Sequence, residues 1–237
     1  VTGYAGESAS TRILRLCTQA GIPVAVKAAD PNVGSELMGP QLVASTLDNL
    51  RDCEAADHGV LYEYGTGLAY QPRSSRYVAV DGDTGAAVSL ALDVDNRELG
   101  DAPEPVDDDQ GLINDVTAKR PRGGSERYEA VGAYAPDGPI GRYDGGDVEL
   151  NIEGDSRLAW HAQWLVGRGT QDDLRWPVIP LQLAANPSLA RRWLSVGVGS
   201  RITLDNPPEG VAPDQLDLFV EGWTCTIGKS VWTVAMN

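Results

Sequence analysis

The chain has 237 residues with 34 acidic against 19 basic side chains, a formal charge of −15 and a pI near 4.4. That balance argues against direct binding to nucleic acid or to an anionic membrane, because both are polyanions. No run of eighteen apolar residues and no signal or transit segment offers insertion into a bilayer, while 42% hydrophobic content is enough to build two cores.

In chain order, Ser8-Ala9-Ser10-Thr11 supplies N-cap candidates for a helix whose Ile13, Leu14, Leu16, Cys17 and Ala20 recur at helical spacing, with Gly21 placed to end it. A strand from Pro23 to Lys27 follows. A second helix is predicted over about Pro40 to Ala56, with Val43, Leu47, Leu50 and Cys53 on its apolar face and Gly59 beyond its end. Val60 to Tyr64 and Leu68 to Pro72 flank a Gly-Thr-Gly turn and read as a hairpin with Tyr62, Tyr64 and Tyr70 on one side. Short strands are predicted at Tyr77 to Val80 and Ala87 to Asp93.

From Asp95 to Gly111 the sequence is acidic and turn-rich, which marks an exposed connector. Beyond it, Asn114 to Arg120 and Glu126 to Val131 form an expected strand pair, and Arg142 to Ile152 another strand. Residues 156–169 are the one clear helix of the second half, with Leu158, Trp160, Ala162, Trp164 and Leu165 mostly inward. Arg175 to Leu183 and a helical turn near Pro187 to Trp193 precede three strands, about Ser200 to Leu204, Leu216 to Thr226 and Ser230 to Met236. The fold class expected is α+β: residues 1–95 as two helices on a sheet, 96–111 as connector, and 112–237 as a mainly β, barrel-like domain with one helix.

Candidate chemistry is sparse. His58 stands beside the Gly59 helix stop and His161 between Trp160 and Trp164, and neither has a metal-ligand partner at i+3 or i+4. There is no GxSxG elbow or P-loop, and Gly65 to Tyr70 lacks the third glycine of a dinucleotide fingerprint. Asp81 to Gly85 and Asp93 to Asn96 resemble the start of calcium loops but lack the glycine and distal glutamate, so they read as turns. Lys119 to Arg122 is the one basic run, read as a solvated edge, and Asp107-Asp108-Asp109 reads as solvated linker. Cys17, Cys53 and Cys225 read as reduced structural thiols. Trp160, Trp164, Trp223 and Trp232 are placed for one core or interface. No catalytic, cofactor or metal residue is assigned, and no cofactor is expected.

Several stretches together carry a likeness: Gly6 to Cys17, Ala20 to Pro23, Met38 to Gln41, Leu61 to Glu63, Pro105 to Arg120, Gly141 to Asp144, Arg201 to Pro208 and Leu218 to Thr224. In that order they resemble the hub-type minor tail proteins of actinobacterial long-tailed phages. The resemblance implies a non-enzymatic virion protein of the tail tip or baseplate, with residues 1 to about 95 as an α+β middle domain and about 110 to 237 as a second barrel. It further implies a homotrimer below the tail tube, contacts with tube or distal tail, tape measure and tail-fibre proteins, and a first barrel upstream of Val1. A different class, a carbohydrate-binding or cell-wall-hydrolysing tail module using Asp107, Asp109, Glu153 or Asp155 in a cleft, stays open at this point, as does an unrelated acidic binding module.

Overall fold

The structure, a computed structural model, describes residues 3–27, 34–76, 88–96, 98–101, 103–106, 111–171, 175–207 and 215–237. The expected strand at Tyr77 to Val80, the turn at Asp81 to Gly85 and Asp107 to Asp109 lie outside the described residues. In chain order the elements are α1 (Ala9–Ala20), β1 (Val24–Val26), α2 (Thr46–Asp57), β2 (Val60–Tyr64), β3 (Gly67–Gln71), α3 (Arg73–Arg76), β4 (Val88–Asp93), β5 (Asp115–Lys119), β6 (Ser125–Glu129) and β7 (Asp144–Glu149). They continue with α4 (Leu158–Gly169), β8 (Ile179–Gln182), α5 (Pro187–Trp193), β9 (Arg201–Asp205), β10 (Gln215–Phe219), β11 (Trp223–Ile227) and β12 (Trp232–Met236). The α+β class holds, but no sheet of the described residues closes into a barrel: the strands form four open sheets of three.

The chain folds into two compact units, one from residues 1–75 with 109–172 and the other from 76–108 with 173–237. This differs from the contiguous division 1–95, 96–111 and 112–237 expected from composition. The reason is long-range strand pairing: β4 lies parallel to β9 more than a hundred residues later, while β5 to β7 and α4 share a core with α1 and α2. Part of the expected connector is also tied down rather than exposed. Glu98 is buried against Arg192, Gly100 N–H donates to the Pro180 carbonyl at 2.9 Å, and Val106 bridges Arg175.

In the first unit, Ser8 caps α1 by accepting from the Thr11 N–H, and Gly21 ends it in the left-handed region at φ 68°. Ile13, Leu16 and Cys17 of α1 pack with Leu50, Cys53 and Ala56 of α2, Tyr70 of β3, and Leu158 and Ala162 of α4. The first sheet runs β1-β3-β2, with β1 parallel and β2 antiparallel to the central β3. Tyr70 pairs with Leu61, so it lies on the face opposite Tyr62 and Tyr64, buried where they are not. The second sheet runs β6-β5-β7, and α4 packs on β5 and β6.

The backbone approach between β1 and β3 gives a sharp prediction. A Cβ on Gly67 would collide with the Pro23 carbonyl, which accepts from the Leu68 N–H at 2.9 Å. Gly67→Ala is expected to cost roughly 2–3 kcal/mol, by forcing the strands apart, and to lower the thermal midpoint of unfolding. An unchanged midpoint would show that the approach is looser than described.

The second helix is shorter than expected. Residues 38–41 are held extended: Met38 N–H donates to Glu7, Gly39 N–H to Asn151 and Gln41 N–H to Gly3, while Asn151 Nδ2 donates to the Pro40 carbonyl. The helix can begin only where Ser45 caps it, accepting from Asp48 N–H. Val43 and Leu47 are therefore exposed, while Leu50 and Cys53 are buried as expected.

In the second unit, the sheets β10-β9-β4 and β11-β12-β8 enclose a core of Leu90, Leu181, Trp193, Ile202, Leu204 and Val234 among others. The single strand expected over Leu216 to Thr226 is two strands in different sheets. Val220 N–H still bonds Ser200 beside β9, but the N–H groups of Glu221 and Gly222 both reach Asn237 at the end of β12. The glycine lets the chain cross from one sheet to the other.

Candidate functional site

The richest concentration of chemistry lies in the first unit, where the end of α2, the 34–37 segment, α3 and α4 converge. Residues 35–38 are fixed there by backbone bonds, Glu153 N–H to Leu37 and Met38 N–H to Glu7. His58 ends α2 in the left-handed region at φ 54°, and its ring reaches α4. Its Nε2 lies 3.0 Å from Nδ1 of the fully buried His161, whose own Nε2 is 3.3 Å from Glu36 Oε2. In the His58 and His161 pair one ring nitrogen donates and the other accepts, and His161 Nε2 meets Glu36 in a close polar contact without hydrogen-bond alignment.

Arg157 donates to Glu36 at 3.2 Å. Burial alone would raise the Glu36 carboxyl, but the close approach of His161 and the hydrogen bond and charge of Arg157 outweigh it and hold the group at about 2. Burial, reinforced by the positive charge facing it from His161, Arg73 and Arg168, lowers His58 to about 3. Behind them Asp57 accepts from Tyr70 Oη at 2.5 Å and Glu36 N–H at 2.7 Å. Burial raises the Asp57 carboxyl against those bonds and drives the Tyr70 phenol well above its ordinary value.

Around this chain runs a layer of imidazole and guanidinium groups stacked on aromatic faces. His58 stacks on Trp164 with centroids 4.4 Å apart, Arg73 lies 4.0 Å from the Trp160 ring, Arg157 4.7 Å from the same ring and Arg168 5.0 Å from Trp164. The residues Arg157, Trp160, His161, Trp164 and Arg168 recur at three- and four-residue spacing and so share a face of α4 and the turn before it. A pocket of about 650 Å³ opens beside them, lined by Glu36, Arg73, Ser74, Glu153, Ser156 and Arg157 among others.

The arrangement is built to hold rather than to turn over protons. At neutral pH Glu36 is ionised and His58 neutral, both far from the proton affinity a general acid needs. Among the described residues the imidazoles hydrogen-bond each other, and the nearest acid is Glu36, 3.3 Å from His161 Nε2, with no nucleophile joined to either. No group of three or more His, Cys, Asp or Glu among the described residues is placed to hold a metal ion.

Of the carboxylates weighed as hydrolytic acids, Asp107 and Asp109 lie outside the described residues, and exposed Glu153 lines the pocket. Asp155 is paired with Arg120 at 2.7 Å, and that hydrogen bond lowers its pKa, opposite to what proton donation requires. The basic run is divided among partners: Lys119 meets Asp147 and Arg120 meets Asp155. Asp93 accepts from Asp95 N–H and Asn96 Nδ2, an Asx turn. Cys17 and Cys53 are buried and Cys225 is exposed. The four tryptophans expected to share one core or interface are divided: Trp160 stacks with Trp164 in the first unit, while in the second Trp223 meets Trp193 edge to face and Trp232 packs against the core.

Sequence reasoning missed the His58 and His161 contact because 103 residues separate them and neither spacing signals the other. Four of the stretches that carried the likeness, 6–17, 38–41, 105–120 and 141–144, hold joints between distant segments. Fully buried Arg12 donates from Nη2 to the carbonyls of Tyr4 at 2.5 Å and Gly39 at 2.7 Å and from Nε to Glu7 at 3.2 Å. Asn114 Nδ2 donates to Tyr134 and Gly141 carbonyls while its Oδ1 accepts from Tyr143 N–H, and buried Asp115 is clamped by Arg127 and Arg142.

No protein-family model and no curated protein matches the sequence. The fold is similar to that of solved tail proteins. One, the tail protein from Neisseria meningitidis MC58, matches with a TM-score of 0.61 and 11% identity, over 99% of this chain and 66% of that one. Another, the 43 kDa tail protein of prophage MuSo2 from Shewanella oneidensis, matches with a TM-score of 0.56 and 11% identity, over 98% of this chain and 63% of that one. The chain shares its fold with both of these proteins. It spans just under two thirds of the length of these proteins.

Proposed function

We propose that this chain is a structural, non-enzymatic component of a phage tail, working at the tail tip or baseplate as part of the hub. The observation that carries this reading is that nearly the whole chain follows the fold of tail proteins, 99% of it in one case. In this reading it self-associates as a trimer below the tail tube and contacts the tube or distal tail, tape-measure and fibre proteins, without binding nucleic acid or entering a membrane.

The charge of −15 supports it, since an acidic wall repels the DNA that a tail conducts. The buried Glu36-His161-His58 chain, held away from acid-base duty, supports a rigid scaffold more than a catalyst.

Antibody-gold labelling of virions that encode the protein is expected to mark the tail tip, and light scattering over a range of concentrations is expected to give the mass of a trimer. Label on the capsid or absent from virions would overturn the tail reading, and a monomer at every concentration would remove the trimer.

A further inference from the structure

We propose that two copies of this chain associate through the open edge of β11, antiparallel, about a two-fold axis at Cys225. β11 reads Trp-Thr-Cys-Thr-Ile, every residue is exposed, and none is charged. Two other outer strands are blunted against such pairing: β6 carries Glu126, Arg127 and Glu129, and β7 carries Asp144, Asp147 and Glu149.

The backbone sets the register. Gly222 and Asn237 exchange both backbone bonds, at 3.2 and 3.1 Å, and Gly228 N–H donates to the Val231 carbonyl at 2.7 Å. In an antiparallel ladder these bonded pairs alternate, so the even-numbered residues face β12. The N–H and C=O groups of Trp223, Cys225 and Ile227 therefore point to the open edge.

A second β11 brought up antiparallel satisfies all three only if Cys225 faces Cys225 and Trp223 faces Ile227 of the other copy. Each facing pair then exchanges two backbone hydrogen bonds.

The side chains fit the same register. Around Cys225 the sequence is a chemical palindrome from Glu221 to Lys229: Glu-Gly-Trp-Thr-Cys-Thr-Ile-Gly-Lys. In the paired sheet the apolar Trp223 and Ile227 meet on one face, Thr224 meets Thr226 on the other, and glycine meets glycine. Exposed Glu221 and exposed Lys229 lie just beyond the two ends of β11, so antiparallel pairing brings ends of opposite charge together and no like charges. This self-complementarity is what a two-fold contact requires, and it favours a second copy over a foreign strand.

The proposal stands apart from the threefold reading, because a two-fold strand pair closes as a dimer. Of the three cysteines only Cys225 is exposed, so a short bismaleimide reports on this edge alone. Wild-type protein is expected to give a crosslinked dimer whose yield rises with concentration and which Cys225→Ser abolishes. Glu221→Lys and Lys229→Glu should each cut the yield several-fold with thermal unfolding unchanged, and the double variant should restore it.

No dimer at any concentration, a yield indifferent to charge reversal, or a double variant that stays low would overturn the pairing. A trimer by light scattering without the crosslink would sink this contact and leave the threefold ring. Crosslinked dimers without trimers would do the reverse.

Discussion

Acidification from pH 6.5 toward 3 is expected to destabilise the first unit by roughly 4 kcal/mol through His58 alone, at about 1.4 kcal/mol per pH unit. The sign follows from which state holds the proton. His58 is lowered to about 3 in the fold, whereas an unfolded histidine titrates near its ordinary value. Between those limits the unfolded chain binds a proton that the native one refuses, so stability is present above about 6.5 and is lost as pH falls.

Glu36, held at about 2 against an ordinary 4.5, adds a second loss as pH falls below 4.5. Asp57 and Asp52, both raised chiefly by burial, take up protons in the fold above their ordinary 3.8 and oppose the loss there, so the steepest slope should lie below about pH 4, where His58 and Glu36 lose stability together. Hydrogen exchange of α4 amides against pH reads this unit separately from the other. His58→Gln should flatten that slope, and a variant with the wild-type slope would remove His58 as its cause.

Replacing Arg12 by leucine should be the most damaging single change, at about 3–5 kcal/mol, the range for removing one partner from a buried charged network. Arg12 is fully buried and ties together the N-terminal turn, α1 and the 38–41 segment through Tyr4, Glu7 and Gly39. Removing it leaves two carbonyls unpaired and a cavity that leucine fills only in part. Arg15 gives the contrast. It bonds the same Glu7 at 2.8 Å and stacks on Tyr4 at 3.7 Å, but it stays partly in solvent. Arg15→Ala should cost about 1 kcal/mol or less. Urea unfolding of the two variants side by side checks the difference, and equal losses would show that burial of Arg12 contributes nothing special.

Local signals were legible wherever a residue acts on its own neighbours. The Ser8 cap and Gly21 stop bounded α1, and the Gly-Thr-Gly turn placed β2 and β3, because capping and turn chemistry span only a few residues. The start of α2 was misread for the opposite reason. Val43 and Leu47 fit a helical stripe, but partners far along the chain, Asn151 among them, claimed the preceding backbone for extended pairing. The split of 216–226 into β10 and β11 has the same origin, since alternation runs on through Gly222 while the hydrogen-bond partner changes from β9 to β12.

By itself the sequence determined the acidic charge, the α+β class, the positions of most helices and strands, and the palindrome around Cys225, all properties of composition or of neighbours along the chain. Only the tertiary structure decided the interleaving of two units, the meeting of His58 with His161 and Glu36, and the burial of Arg12. Each of these depends on which distant segments pair, and that choice is made by the summed burial and hydrogen bonding of the whole fold.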